Sequence, residues 1–196
     1  MKDVLFIDCC IRRELSRTLK LAEAFVFSLK QSGAYTIETL TLMDEPLSFL
    51  SEGFFDQRER LIAQGSLDHP RFRYAHRFQK ADKIVIAAPF WDLSFPALLK
   101  IYIENVCVDG ITFHCDQNGC VGTCCADRLL FLTTRGGNYE KSPLENATKY
   151  LSALCEFWGI PQFDYIAADG LDLGLESPEA ILAIAIREAK ILADAF

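Results

Sequence analysis

"KIVIAAPFWDLSFPALLKIYIENV" (residues 83–106) changes character twice along its length. Its opening, KIVIAAP (83–89), is an almost unbroken apolar run of strand length. A strand buried on both faces has no solvent side, so its sequence need not alternate. Its close belongs to a segment, 94–108, that repeats apolar residues at helical spacing. Ser94 is placed to cap that helix, and Pro96 falls in the first turn, where the missing N–H costs nothing. A buried strand running straight into an amphipathic helix is the repeating unit of a parallel α/β sheet. Between the two, Phe90, Trp91 and Asp92 stand at the mouth of the strand.

The rest of the chain repeats the unit. DVLFIDC (3–9), YTIETLTL (35–42), RLLFLTTR (128–135) and FDYIAAD (163–169) read as strands, rich in β-branched and aromatic residues. The first and third of these are also nearly continuously apolar. Helical patterns separate them. Around 16–32, Leu15, Leu19, Ala22, Val26 and Leu29 recur at alternating four- and three-residue steps, and SGAY closes the helix. Segments 143–158 and 177–195 each open on Ser-Pro, and the charged stretch 51–80 is helical in part, broken by GSLDHP. Alternating strands and helices call for a five-stranded parallel sheet with helices on both faces, in one domain over 1–196. The common strand order for five is 2-1-3-4-5, with ligands outside the carboxyl ends, at the switch point between the first and third strands.

The totals narrow the function. A net charge of −7 argues against nucleic-acid binding, which needs a basic face to displace counterions. No apolar run approaches a membrane span, and the start, MKDVLFIDCC, lacks the pattern of a signal peptide, so the chain reads as cytoplasmic. The eight cysteines are therefore expected to stay reduced. Five of them, Cys107, Cys115, Cys120, Cys124 and Cys125, cluster without the C-x-x-C spacing of zinc or iron–sulfur sites, and no metal is expected there.

Three loops converge in such a fold. The first, DCCIRRELSRT (8–18), puts Ser16 and Thr18 at the opening of a helix, where hydroxyls and free backbone N–H groups form an anion site. Arg17, with Arg12 or Arg13, adds positive charge; the plainer reading is a capping serine and solvated arginines. The loop has no glycine, so it carries neither the dinucleotide fingerprint nor the P-loop. The second loop, PFWDLSFP (89–96), offers an aromatic wall for a planar ring, or merely a cover for the core. The third, TTRGGNY (133–139), contains adjacent glycines that let a ligand approach the backbone amides, or form an ordinary turn. A phosphate seat, an aromatic wall and an amide edge together describe a flavin mononucleotide (FMN) site.

These residues resemble the FMN-dependent NADH-azoreductases and NAD(P)H:quinone reductases, which share a flavodoxin-like three-layer sandwich. The likeness runs from VLFIDCC through IVIAAPFWDLSFPALLKIYIENV, DGITFHCDQNG and LLFLTTRGG to YLSALCEFWGI, and is weakest over 43–80. The resemblance implies phosphate contacts at Cys10, Ser16, Arg17 and Thr18. It implies ring contacts at Phe90, Trp91, Asp92 and Leu93, and a third loop at Thr134, Arg135, Gly136 and Gly137. The sequence departs from the family at Cys10, where a serine is usual, and at Asp92, where an asparagine is usual. Cys115 falls where some azoreductases place an aromatic over the substrate pocket.

The implied activity is two half-reactions on one flavin. NADH or NADPH supplies a hydride, and a quinone, azo dye or nitroaromatic then takes the electrons, with no dedicated acid, base or nucleophile from the protein. The resemblance further implies a homodimer that completes the flavin pocket, with Phe54, Phe55, Phe113 and Phe157 as contributors; core packing is the other reading. It implies a hairpin over DGITFHCDQNGCVG. Two alternatives stand beside the reductase: a flavodoxin-type electron carrier, and a flavodoxin-like binding or regulatory protein that has lost its flavin.

Overall fold

In the computed structural model, which describes residues 1–196, the five expected strands form one parallel sheet. They are β1 (Lys2–Asp8), β2 (Tyr35–Thr41), β3 (Lys83–Ala87), β6 (Arg128–Thr134) and β7 (Gln162–Ala168). Their order is β2-β1-β3-β6-β7, the expected 2-1-3-4-5 once the separate hairpin of β4 (Phe113–Asp116) and β5 (Gly119–Gly122) is set aside. Every residue of β3 and β6 is buried, whereas the edge strands β2 and β7 are only partly covered. Position in the sheet therefore explains which strands read as continuous apolar runs.

Side chains alternate across a strand, and the sheet has two separate cores as a result. Leu5, Ile7, Ile84, Ile86, Leu129 and Phe131 face one side, where α3 (Arg73–Lys80), α4 (Ala97–Val106) and α5 (Ala147–Trp158) bring Phe78, Tyr102 and Trp158. Val4, Phe6, Val85, Ala87, Leu130 and Leu132 face the other side, against Phe25 of α1 (Arg17–Ser32) and Ala189 of α6 (Pro178–Asp194). The charged 51–80 stretch yields α2 (Glu52–Ala63) and α3, with the interruption where GSLDHP falls.

Three helix starts differ from the sequence reading. Leu15 lies before the α1 cap and is exposed, so the apolar stripe of α1 begins inside the helix. Ser94 does not cap α4. It closes a tight turn with Trp91, and the helix begins after Pro96. Likewise α5 starts at Ala147, four residues after Pro143, because the Glu145 carboxylate takes the first-turn amides of Ala147 (3.0 Å) and Thr148 (3.1 Å). Only α6 opens as Ser-Pro suggests, with Ser177 capping and Pro178 in the first turn.

Two cysteines are not reduced. Cys115 and Cys120 form a disulfide across the β4–β5 hairpin, correcting the expectation of eight free thiols. Directly opposed residues in an antiparallel pair come closest at non-hydrogen-bonded positions, and these two Cα atoms are 4.0 Å apart. The other six cysteines are free, and no three ligand-type side chains are grouped to hold a metal.

Candidate functional site

Strands β1, β3 and β6 are neighbours, so the loops that leave their carboxyl ends must meet. Backbone bonds join them: Cys9 N to Ala87 O (2.8 Å), Ala88 N to Leu132 O (3.1 Å) and Phe90 N to Thr134 O (3.1 Å). At their meeting point lies a crevice of about 140 Å³. The first loop contributes Arg12, Ser16, Arg17 and Thr18; the second, Pro89, Phe90 and Trp91; the third, Thr134 and Gly136. Asp172, from the loop after β7, completes the wall.

The floor is the amino end of α1. Ser16 caps the helix by accepting a hydrogen bond from Leu19 N (3.2 Å), which leaves its own hydroxyl proton free to donate. The Thr18 and Thr134 hydroxyls share a 2.7 Å hydrogen bond, so one of the two likewise keeps a free proton. First-turn amides have no acceptor within their own helix, and the dipole there favours an anion. Arg17 reaches over from the same turn and donates through Nη1 to Asp172 Oδ1 at 2.9 Å.

The aromatic wall is half open. Trp91 is 41% exposed, while Phe90 is held from behind by Tyr139, ring centroids 4.7 Å apart. After Trp91 the chain reverses in two residues, with Trp91 N bonded to Ser94 O (3.0 Å) and Ser94 N to Trp91 O (2.9 Å). Both central residues have positive φ, Asp92 at 50° and Leu93 at 66°. Such a turn normally uses Asn-Gly or Asp-Gly. Leu93 in the left-handed region is strained by about 1–2 kcal/mol, and both side chains are left pointing outward, exposed at the rim.

Five of the expected site residues do not line the crevice. Cys10 is fully buried, its thiol directed at Ala87 O (3.7 Å), and burial together with nearby Asp8 pushes that thiol up. Arg135 is 1% exposed and lies behind the third loop, its guanidinium 3.3 Å from both Glu145 and Asp169. It sits 5.4 Å from the Phe90 ring centroid and so supports the aromatic wall from inside. Gly137 makes room for Tyr139, since a Cβ there would lie 2.9 Å from the tyrosine ring. Asp92 and Leu93 form the tip of the turn described above. Of the expected interface aromatics, Phe55 is exposed, Phe54 lies beneath the Arg71 guanidinium, and Phe113 and Phe157 pack on each other at 4.5 Å.

The residue missed from sequence is Asp172. The signal was available: β7 borders β6, and ADGLDLG (168–174) leaves its carboxyl end with glycines at Gly170 and Gly174. Backbone bonds zip this segment to the third loop, Gly170 N to Gly137 O (3.0 Å), Leu171 N to Arg135 O (3.1 Å) and Asp172 N to Gly136 O (2.9 Å).

Known proteins with this pattern are numerous. A family model described as flavodoxin-like fold (Flavodoxin_2) matches residues 2–192. The chain is 40% identical to FMN-dependent NADH:quinone oxidoreductase 2 of Clostridium acetobutylicum, over 100% of both proteins. It is 37% identical to the FMN-dependent NADH:quinone oxidoreductase of Clostridium beijerinckii, again over the full length of both. Among solved structures, an azoreductase from Bacillus anthracis superposes with a TM-score of 0.89 at 28% identity, covering 100% of each chain.

Proposed function

The chain belongs to the flavodoxin-like fold family, and we propose that its crevice holds the phosphate end of FMN in an NAD(P)H-dependent reductase of quinones and azo compounds. The observation that carries this reading is the convergence of three chemically different loops on one crevice at the carboxyl ends of β1, β3 and β6. Relatives that match along the full length are FMN-dependent NADH:quinone oxidoreductases.

The residues present fit the cofactor. A phosphate needs several hydrogen-bond donors and positive charge around it. Free first-turn amides, the Ser16 and Thr18 hydroxyls and the Arg17 guanidinium supply them. Gly136 keeps the third wall low, since a Cβ there would come within 2.5 Å of the Asp172 carboxylate. Phe90 and Trp91 line the crevice and would offer aromatic surface to a ring. Bound there, FMN would supply two-electron redox chemistry between a nicotinamide donor and the acceptor. The chain would orient it: the amino end of α1 would hold the phosphate, the second loop would meet the ring, and Tyr139 and Arg135 back Phe90 from inside.

A crevice of about 140 Å³ is smaller than the roughly 300–1,000 Å³ of pockets that enclose a whole ligand. A seat of that size would take the phosphate, and the ring would then lie outside it, on the side of exposed Trp91. A second copy of the chain then covers that ring in a homodimer. Exposed apolar residues adjoin the crevice residues in sequence: Leu15 before Ser16, Leu93 near Trp91, and Leu173 after Asp172. These leucines are the candidates for the apolar part of that interface.

The test is direct. The purified protein should be yellow with a flavin spectrum and should oxidise NADH steadily when menadione is supplied. Light scattering and flavin fluorescence across a dilution series should show dimer and bound flavin disappearing together. A colourless protein that neither takes up added FMN nor oxidises NADH overturns the reductase reading; a monomer that retains FMN and turnover overturns the shared site.

A further inference from the structure

Asp172 is an acid built into an anion seat. Its carboxylate lines the same crevice as Ser16, Arg17 and Thr18, and it occupies Arg17 Nη1 at 2.9 Å. The position is held by the backbone, because residues 170, 171 and 172 are each bonded to the third loop. The side chain packs closely on Gly136, where a Cβ would lie 2.5 Å from Asp172 Oδ2 and displace the carboxylate. The other arginine of the crevice, Arg12, has no carboxylate partner. Of the two cations that could meet a phosphate, one is therefore already paired within the chain.

We infer that Asp172 is a specificity-determining residue: by pairing with Arg17 it lowers the seat's preference for a phosphorylated flavin over its neutral, dephosphorylated form. The inference rests on the flavin reading above. A phosphate monoester carries close to two negative charges at neutral pH. To bind, it must share or take Arg17 from Asp172 and tolerate a carboxylate close by. Riboflavin has the same ring and ribityl chain with no charge at that end, so it meets neither obstacle. The Asp172 side chain is 63% exposed, and solvent screening keeps the effect near the low end for charges at this separation, about tenfold in affinity.

Flavin-free full-length protein titrated with FMN and, separately, with riboflavin by fluorescence quenching tests this. Asp172→Asn keeps the shape and a possible acceptor for Arg17 but removes the charge. It should tighten FMN about tenfold and leave riboflavin within about twofold, and the gain should shrink as salt is raised. Asp172→Glu, which keeps the charge, should stay close to the parent ratio. If the two flavins shift together in Asp172→Asn, or the FMN-to-riboflavin ratio does not rise, the inference is overturned. If neither flavin binds parent or variant, the flavin reading itself falls, and the inference with it; that outcome is distinct from an unchanged ratio.

Discussion

The Thr18 and Thr134 hydroxyls are bonded to each other at 2.7 Å, joining the first turn of α1 to the last residue of β6 across a sequence separation of 116. Both residues are buried. The bond couples the anion seat to the third loop, and it makes a prediction that needs no ligand. Thr134→Val should leave the Thr18 hydroxyl buried without its partner, at a cost of about 1–3 kcal/mol in urea unfolding. The pair Thr18→Val with Thr134→Val should cost clearly less than the sum of the two single changes, because no orphaned hydroxyl remains. Additive losses would show that the two hydroxyls do not depend on one another.

The seat can be weighed directly. Ser16→Ala with Thr18→Val removes two donors to a charged group, each worth about 1.5–3 kcal/mol. FMN affinity should fall by on the order of a hundredfold or more. Riboflavin, which lacks the phosphate, should lose far less. Unchanged FMN binding in the double variant would move the phosphate elsewhere.

Arg135 carries a different expectation from the one its place in TTRGGNY suggests. It is enclosed with Glu145 and Asp169, and Asp169 also accepts the amide of Tyr139 at 2.9 Å. Arg135→Met strands two acids and should destabilise the fold by about 3–5 kcal/mol, a loss of roughly 10 °C in melting temperature for a chain of this size. Arg135→Lys should recover only part of it, since a single ammonium cannot reach both acids as the planar fork does. A melting temperature within a degree or two of the parent for Arg135→Met would contradict the role of Arg135 in holding the two acids.

Much of this was readable in the sequence, and what was not has physical causes. Strands β3 and β6 announce themselves because burial on both faces is recorded in every residue. The crevice was legible because the ends of adjacent strands must meet. By contrast, the Arg17–Asp172 pair spans a sequence separation of 155, and nothing local in RELSRT or DGLDLG encodes it. Arg135 differs for another reason: the resemblance of TTRGG implies a ligand contact, and only the tertiary fold reveals the two acids around it. Ser94 and Ser142-Pro143 carry genuine helix-start signals, yet the Trp91–Ser94 turn and the Glu145 carboxylate claim those roles instead.

Cysteine spacing is equally silent about pairing. With Cys115 and Cys120 joined, the denatured chain should show six reactive thiols before reduction and eight after it. Denaturant is needed because Cys9, Cys10 and Cys155 are buried, and burial alone pushes the Cys155 thiol up to about 12. Mass spectrometry after alkylation counts both states. Eight alkylated thiols without reductant would mean that the hairpin is held by its backbone alone.

Asp92 carries the last prediction. It occupies the first central position of the Trp91–Ser94 turn, at φ 50°, exposed at the edge of the aromatic wall. No base is paired with it, and the nearby third-loop arginine, Arg135, is held by Glu145 and Asp169. The resemblance drawn from the sequence implies a ring contact here, with asparagine the usual residue; an asparagine can donate a hydrogen bond, which a carboxylate cannot. A carboxylate also opposes the negative charge that the ring gains with its electrons. Asp92→Asn should therefore raise the two-electron potential of the bound flavin by on the order of tens of millivolts, at the low end for an exposed group. Its reduction by NADH should become faster. Asparagine tolerates positive φ as readily as aspartate, so the turn should survive the change. Potentiometric titration of parent and variant decides the matter: an unchanged or lowered midpoint means that the carboxylate at the tip of the turn faces solvent and not the flavin.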